Sequence, residues 1–140
     1  MLVKSFMVPA NLAITCLPTD TIESVLTKLV ENAISAVVVV DLNRIPMGIV
    51  TNTDMIRAYK NKMTVSSNVE HIMATDLKTV KATATRDEAA GVFDESKLHH
   101  VIVVSEKLDF AGIISSLDIA REASLDGKAW PYNRQANQAA

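Results

Sequence analysis

The chain has 140 residues, a formal net charge of −2, and 49% hydrophobic against 21% charged residues, the balance of one folded body rather than a disordered chain. It has no Lys/Arg cluster and only 4% aromatic residues, so the features of a nucleic-acid binder are missing. Its one cysteine, Cys16, excludes an intrachain disulfide and suits a reducing compartment such as the cytoplasm, and neither an export signal nor an apolar run long enough for a membrane is expected.

In chain order, Ile14-Thr15-Cys16-Leu17 is a short strand ending at Pro18. A helix follows, with Asp20 and Glu23 as a capping box and Ile22, Val25, Leu26, Leu29 and Val30 on one apolar face, up to Ile34. Val37-Val38-Val39-Val40 is a continuous β-branched run, expected in a strand covered on both faces. Asp41 to Pro46 supplies turn residues before a strand over Met47 to Thr51, and a helix over Asp54 to Lys60 places Met55, Ile56 and Tyr59 inward. The methionines, Met47, Met55 and Met73 among them, read as core fillers.

Asn61 to Asn68 is a polar connection, after which the order recurs: Thr79-Val80, a helix opened by Thr85 and Glu88, strands at Val101 to Val104 and Phe110 to Ser115, and a helix from Asp118. The recurrence is residue by residue. Thr15, Thr21, Glu31, Val37, Val39, Gly48, Ile49, Asp54 and Arg57 return 64 positions later as Thr79, Thr85, Glu95, Val101, Val103, Gly112, Ile113, Asp118 and Arg121. The second copy's first helix has a narrower stripe, with Arg86, Asp94 and Lys97 where the first has Ile22, Val30 and Ala33. The boundaries expected are 1–62 and 63–125 for the repeats, with a polar tail over 126–140 ordered only if a partner holds Trp130 and Tyr132.

Each copy ends in a matched phrase, Gly48-Ile49-Val50-Thr51-Asn52-Thr53-Asp54 and Gly112-Ile113-Ile114-Ser115-Ser116-Leu117-Asp118. Together with Val37 to Asp41 and the lead-ins Phe6-Met7 and Ile72-Met73, the doubled pattern resembles a pair of cystathionine-β-synthase (CBS) domains, a Bateman module. The resemblance runs to about Glu122 and implies an α/β (α+β) fold, two β-α-β-β-α repeats packed pseudo-symmetrically into a disc-like module with two clefts for adenosine-containing ligands.

The resemblance assigns Asp54 and Asp118 to the ribose hydroxyls. On the residues alone, Thr51 with Asp54 and Ser115 with Asp118 are equally read as helix caps, and one residue can do both. Thr51 and Ser115 lie within reach of a phosphate or ribose oxygen at the same helix N-termini. Thr15, Cys16, Thr79 and Val80 match the family segment that faces the adenine. His99 and His100 fall where family members place basic groups near ligand phosphates; as strand neighbours they are expected on opposite faces, so that at most one enters a given cleft. Ser35 and Ala36 replace them in the first copy, so unequal clefts are expected.

Catalytic and metal-binding patterns are not expected: there is no G-x-S-x-G phrase, no glycine-rich phosphate loop, and no His/Cys pair at ligand spacing. The resulting expectation is a non-catalytic regulatory module with no obligatory cofactor. It takes AMP, ADP or ATP and passes occupancy to its own homodimer or to an unidentified protein effector. A dimerising scaffold with vestigial clefts is the alternative.

Overall fold

The computed structural model describes residues 1–129. The elements are β1 (Val8–Pro9), β2 (Thr15–Cys16), α1 (Ile22–Glu31), β3 (Ala36–Val40), β4 (Pro46–Thr51), α2 (Asn52–Lys60), β5 (Thr79–Lys81), α3 (Arg86–Ser96), β6 (His100–Val104), β7 (Phe110–Ser115) and α4 (Ser116–Ala129). Each repeat is thus β-α-β-β-α. Short 3₁₀ turns at Val3–Ser5 and Val69–His71 precede them.

Local chemistry sets the helix starts. Thr21 caps α1 by accepting from the Ser24 N–H at 3.1 Å, whereas the expected cap residue Asp20 spends its carboxylate on the Leu17 N–H at 2.9 Å, in the turn before the helix. Thr85 and Glu88 do form the expected capping box on α3. The α1 stripe buries Ile22, Val25 and Leu29, but Val30 is 76% exposed. Ala33 is also exposed, so the contrast with Asp94 and Lys97 of the second copy is smaller than the sequence suggests.

In α2 the Thr51 cap fixes a phase in which Asp54, Met55 and Ala58 turn inward, and Ile56 and Tyr59, expected inside, are 70% and 88% exposed. Met47 is likewise 40% exposed rather than a core filler. α4 continues past residue 125 to Ala129, so the start of the expected tail is helical; Trp130, Tyr132 and the rest lie outside the described residues.

The first repeat forms a three-stranded sheet of order β2-β3-β4, and the second a four-stranded sheet of order β1-β7-β6-β5. In the first repeat β2 runs parallel to β3 and β4 antiparallel to it; in the second β5 runs parallel to β6 and β7 antiparallel to it, with β1 added antiparallel to β7. Alternation then divides the valine runs. Val37 and Val39 pack under α1 and α2, Val101 and Val103 pack under the second repeat's helices, and Val38, Val40, Ile102 and Val104 meet in a seam between the two sheets. This explains why all are buried.

The lead-in segments are exchanged. Val3, Phe6 and Met7 pack into the second repeat's core, and Val8 pairs with Ile113 of β7. Reciprocally, Val69, Ile72 and Met73 pack into the first repeat's core, and Ala74 pairs with Ile49 of β4. The repeated glycines mark these crossings. A Cβ on Gly48 would stand 2.7 Å from the Met73 sulfur, and one on Gly112 would collide with the Val8 carbonyl oxygen. Among the described residues, no helix is long and apolar enough to cross a membrane.

Candidate functional site

A cavity of about 760 Å³ opens beside the seam, within the size range of small-molecule sites. Both repeats build it. Thr51, Asp54 and Arg57 at the start of α2 form one wall, and Lys97, His99 and His100, between α3 and β6, form the opposite wall. Ile49, Leu77 and Ile102 supply apolar surface, while Ala74, Asp76 and Lys78 line the edge that leads into β5.

Asp54 is the buried charged residue here, at 8% exposure. Its Oδ2 accepts from the Thr51 N–H at 2.8 Å and the Thr51 hydroxyl at 3.1 Å, and its Oδ1 accepts from Arg57 Nη1 at 3.3 Å. The capping arrangement read from the sequence is therefore present. A carboxylate offers about four lone-pair sites, so three are engaged and one is open to a ligand hydroxyl. A second ligand bond requires Arg57 or the Thr51 hydroxyl to release, and Arg57, 63% exposed, is held weakly.

Asp118 repeats the design with less engagement. Its Oδ2 accepts from the Ser115 N–H at 2.8 Å, its own N–H donates to Ser115 Oγ at 3.1 Å, and Arg121 stands 3.9 Å away. Asp118 and Ser115 do not line the Asp54 cavity. The two carboxylates thus belong to separate places, one in each repeat.

Both histidines line the cavity, contrary to the expectation that at most one does. β6 begins at His100, so His99 lies outside the strand and escapes its alternation; its carbonyl accepts from the Ser116 N–H at 2.9 Å. His100 Nε2 lies 2.9 Å from Ser35 Oγ. Burial, then the neighbouring His99, lower the His100 pKa below the usual histidine value, and Asp118 pulls it back up.

Thr15, Cys16, Thr79 and Val80 do not line this cavity. The Thr15 carbonyl accepts from Lys28 Nζ at 2.7 Å, and Cys16 is buried in the first repeat's core, where loss of solvent pushes its thiol up to about 11. Thr79 and Val80 border a separate groove of about 380 Å³ with Thr83, Glu88 and Val92. The segment that meets the cavity is Ala74 to Lys78, just before β5. Lys78, Lys97 and the apolar pair Leu77 and Ile102 carry no sequence phrase that marks them, whereas the repeat of Arg57 as Arg121 beside each aspartate is a signal for the guanidinium.

Comparison with known proteins agrees with this architecture. The CBS domain family model matches residues 3–61 and 69–125. An uncharacterised 17.7 kDa protein encoded in the bps2 3′ region of Acidianus ambivalens is 26% identical over 121 residues, 86% of this chain and 73% of the relative. CBSX2, solved in complex with AMP, superposes with a TM-score of 0.79 at 24% identity, covering 91% of this chain and 98% of that one. The CBS domain pair of MJ0100, solved with 5′-methylthioadenosine and S-adenosyl-L-methionine, gives a TM-score of 0.81 at 24% identity over 90% and 98%. The chain belongs to the CBS-domain family and carries two copies of the domain.

Proposed function

We propose that this chain is a non-catalytic regulatory module that takes an adenine nucleotide, AMP, ADP or ATP, in the Asp54 cavity and passes its occupancy to a partner protein or to its own dimer. The observation that carries the reading is the make-up of the cavity: a buried carboxylate with one open acceptor site faces a wall of cationic and imidazole groups across apolar surface. Those three kinds of lining suit the ribose, the phosphate and the base of a nucleotide. Arg57, Lys78 and Lys97, with largely exposed side chains, sit in ion pairs with Asp54, Asp76 and Asp94, held weakly enough to turn to a ligand phosphate, which favours a phosphate-bearing ligand over a cationic sulfonium. CBSX2 holds AMP and MJ0100 holds adenosyl compounds, so the adenosine portion is common to both.

Because the walls come from different repeats, a ligand that bridges them stabilises one relative placement of the repeats, the differential binding that a population shift needs. A second reading, a dimerising scaffold, is favoured by Ile56 and Tyr59 of α2, which expose apolar surface at 70% and 88%. Thermal melts against AMP, ADP, ATP, S-adenosylmethionine, NAD and 2′-deoxy-AMP separate the two. A ligand at a hundred times its Kd adds about 2.7 kcal/mol. A shift with AMP or ATP that the deoxy form fails to give supports the sensor; no shift with any of them, in a protein that is a tight dimer, supports the scaffold.

A further inference from the structure

His100 occupies a singular place. It begins β6 on the same face as Ile102 and Val104, the face that meets Val38 and Val40 in the seam. Its register partner is Ser115, whose hydroxyl and N–H both bond Asp118. On its other side the ring lines the Asp54 cavity and contacts Ser35 of the first repeat. The equivalent position in the first repeat is Ala36, so the arrangement is not duplicated.

We propose that His100 is a residue shared by the two carboxylate sites: a phosphate-bearing ligand enters the Asp54 cavity with uptake of a proton by this ring, and the charge so placed acts on Asp118. The inference rests on the nucleotide reading of the cavity. Toward the ring the cavity presents Lys97 and His99 from the turn before β6, Arg57 with Asp54 from α2, and Lys78 with Asp76 from the segment before β5. Asp118, paired with Arg121, adds a negative charge from α4. Arg57, Lys78 and Lys97 are each paired, with Asp54, Asp76 and Asp94, so the cavity leaves no unpaired carboxylate to offset the burial and the neighbouring His99 that oppose a charged ring. A phosphate reverses that balance. The Ser35 contact does not oppose the change, because a hydroxyl donates to a neutral ring nitrogen and accepts from a protonated one. By reciprocity, anything that raises the negative charge at Asp118 strengthens anion binding in the Asp54 cavity.

The test uses the whole chain and AMP. Calorimetric titration at pH 6.5 in two buffers of different ionisation enthalpy counts the protons taken up, and subtracting the count for His100→Gln removes the contribution of the AMP phosphate itself. The expected result is an excess uptake by the wild type, up to about one proton. In parallel, NMR titration of the His100 ring is expected to move to lower pH in ligand-free Asp118→Asn and to higher pH when AMP is bound to the wild type. Equal proton counts, or a ring titration that AMP leaves unmoved, overturns the proton uptake. A titration unmoved by Asp118→Asn overturns the shared role, whether or not AMP binds. Absence of any AMP binding refutes the nucleotide reading and the proton uptake with it, and leaves the Asp118→Asn comparison to decide the sharing alone.

Discussion

Replacing Asp54 separates its two duties, because alanine removes both and asparagine spares most of one. In Asp54→Ala the Thr51 N–H, which donates to Oδ2 at 2.8 Å in a part-buried setting, loses its acceptor. Leaving such a donor unpaired costs about 1–3 kcal/mol, while the ion pair to Arg57, whose side chain is 63% exposed, adds little. For a chain of this size that is a fall in Tm of about 4–12 °C. Asp54→Asn keeps an oxygen for the Thr51 N–H and is expected to cost under about 1 kcal/mol, yet it removes the charge that strengthens a bond to a ribose hydroxyl. Charge-assisted bonds contribute about 1.5–3 kcal/mol, so AMP binding is expected to weaken by about tenfold or more. Urea denaturation gives the first quantity and calorimetric titration with AMP the second. An Asp54→Asn protein that binds AMP as the wild type does makes Asp54 a helix cap and nothing more. Equal stability of the alanine and asparagine variants contradicts the capping argument.

Other substitutions test the fold. Gly112→Ala, which drives a Cβ into the Val8 carbonyl oxygen, is expected to destabilise by about 1–3 kcal/mol and to speed proteolysis of the N-terminal segment; cleavage at the wild-type rate contradicts the exchanged lead-in. Val3→Ala, at a site with 0% exposure in the second repeat's core, is expected to cost about 1.5–3 kcal/mol in urea melts, although the position lies far outside that repeat in sequence. Cys16, buried and with a thiol pushed up to about 11, is expected to resist a thiol reagent at pH 8 until denaturant is added; prompt native labelling argues against that burial. Because the His100 pKa is lower folded than unfolded, the unfolded chain binds more protons below pH of about 6.5. Stability is therefore full above that pH and declines as pH falls toward the folded value. His100→Gln is expected to flatten this decline in urea melts from pH 7.5 to 5.5, and an unchanged slope contradicts the assignment.

The repeat architecture was legible because strand and turn chemistry is local. The four-valine run, the turn after it and the glycine phrase specify two strands and a helix start without help from the rest of the chain. Helix phase was legible less often. Ile56 and Tyr59 satisfy an apolar count, but the Thr51 cap turns Asp54, Met55 and Ala58 inward instead. In the cavity, Thr51 and Asp54 were found because they fall in a repeated phrase, and the two histidines because they stand where the resembling family places basic groups. Lys78, Lys97, Leu77 and Ile102 were not, since each reaches the cavity through the packing of one repeat on the other, which neither repeat's own pattern encodes. The exchanged lead-ins were hidden for the same reason: Phe6-Met7 precedes the first repeat in sequence and packs on the second in space.

That packing also limits what a ligand can do. The seam buries Val38, Val40, Ile102 and Val104, and four such side chains at about 1.5–3 kcal/mol each contribute about 6–12 kcal/mol as an upper bound. The lead-ins strengthen the joint further, since each repeat's core contains a valine from the other's approach, Val3 in one and Val69 in the other. A ligand at a hundred times its Kd supplies about 2.7 kcal/mol, which is too little to part the sheets. It is enough to bias a small shift of α2 against the Lys97 to His100 wall, whose side chains are exposed or half-buried and border open volume. On the proposed reading a signal from this cavity takes the form of a small adjustment between intact repeats, and substitutions that weaken the seam without lining the cavity, such as Val104→Ala, should blunt the response more than they weaken binding.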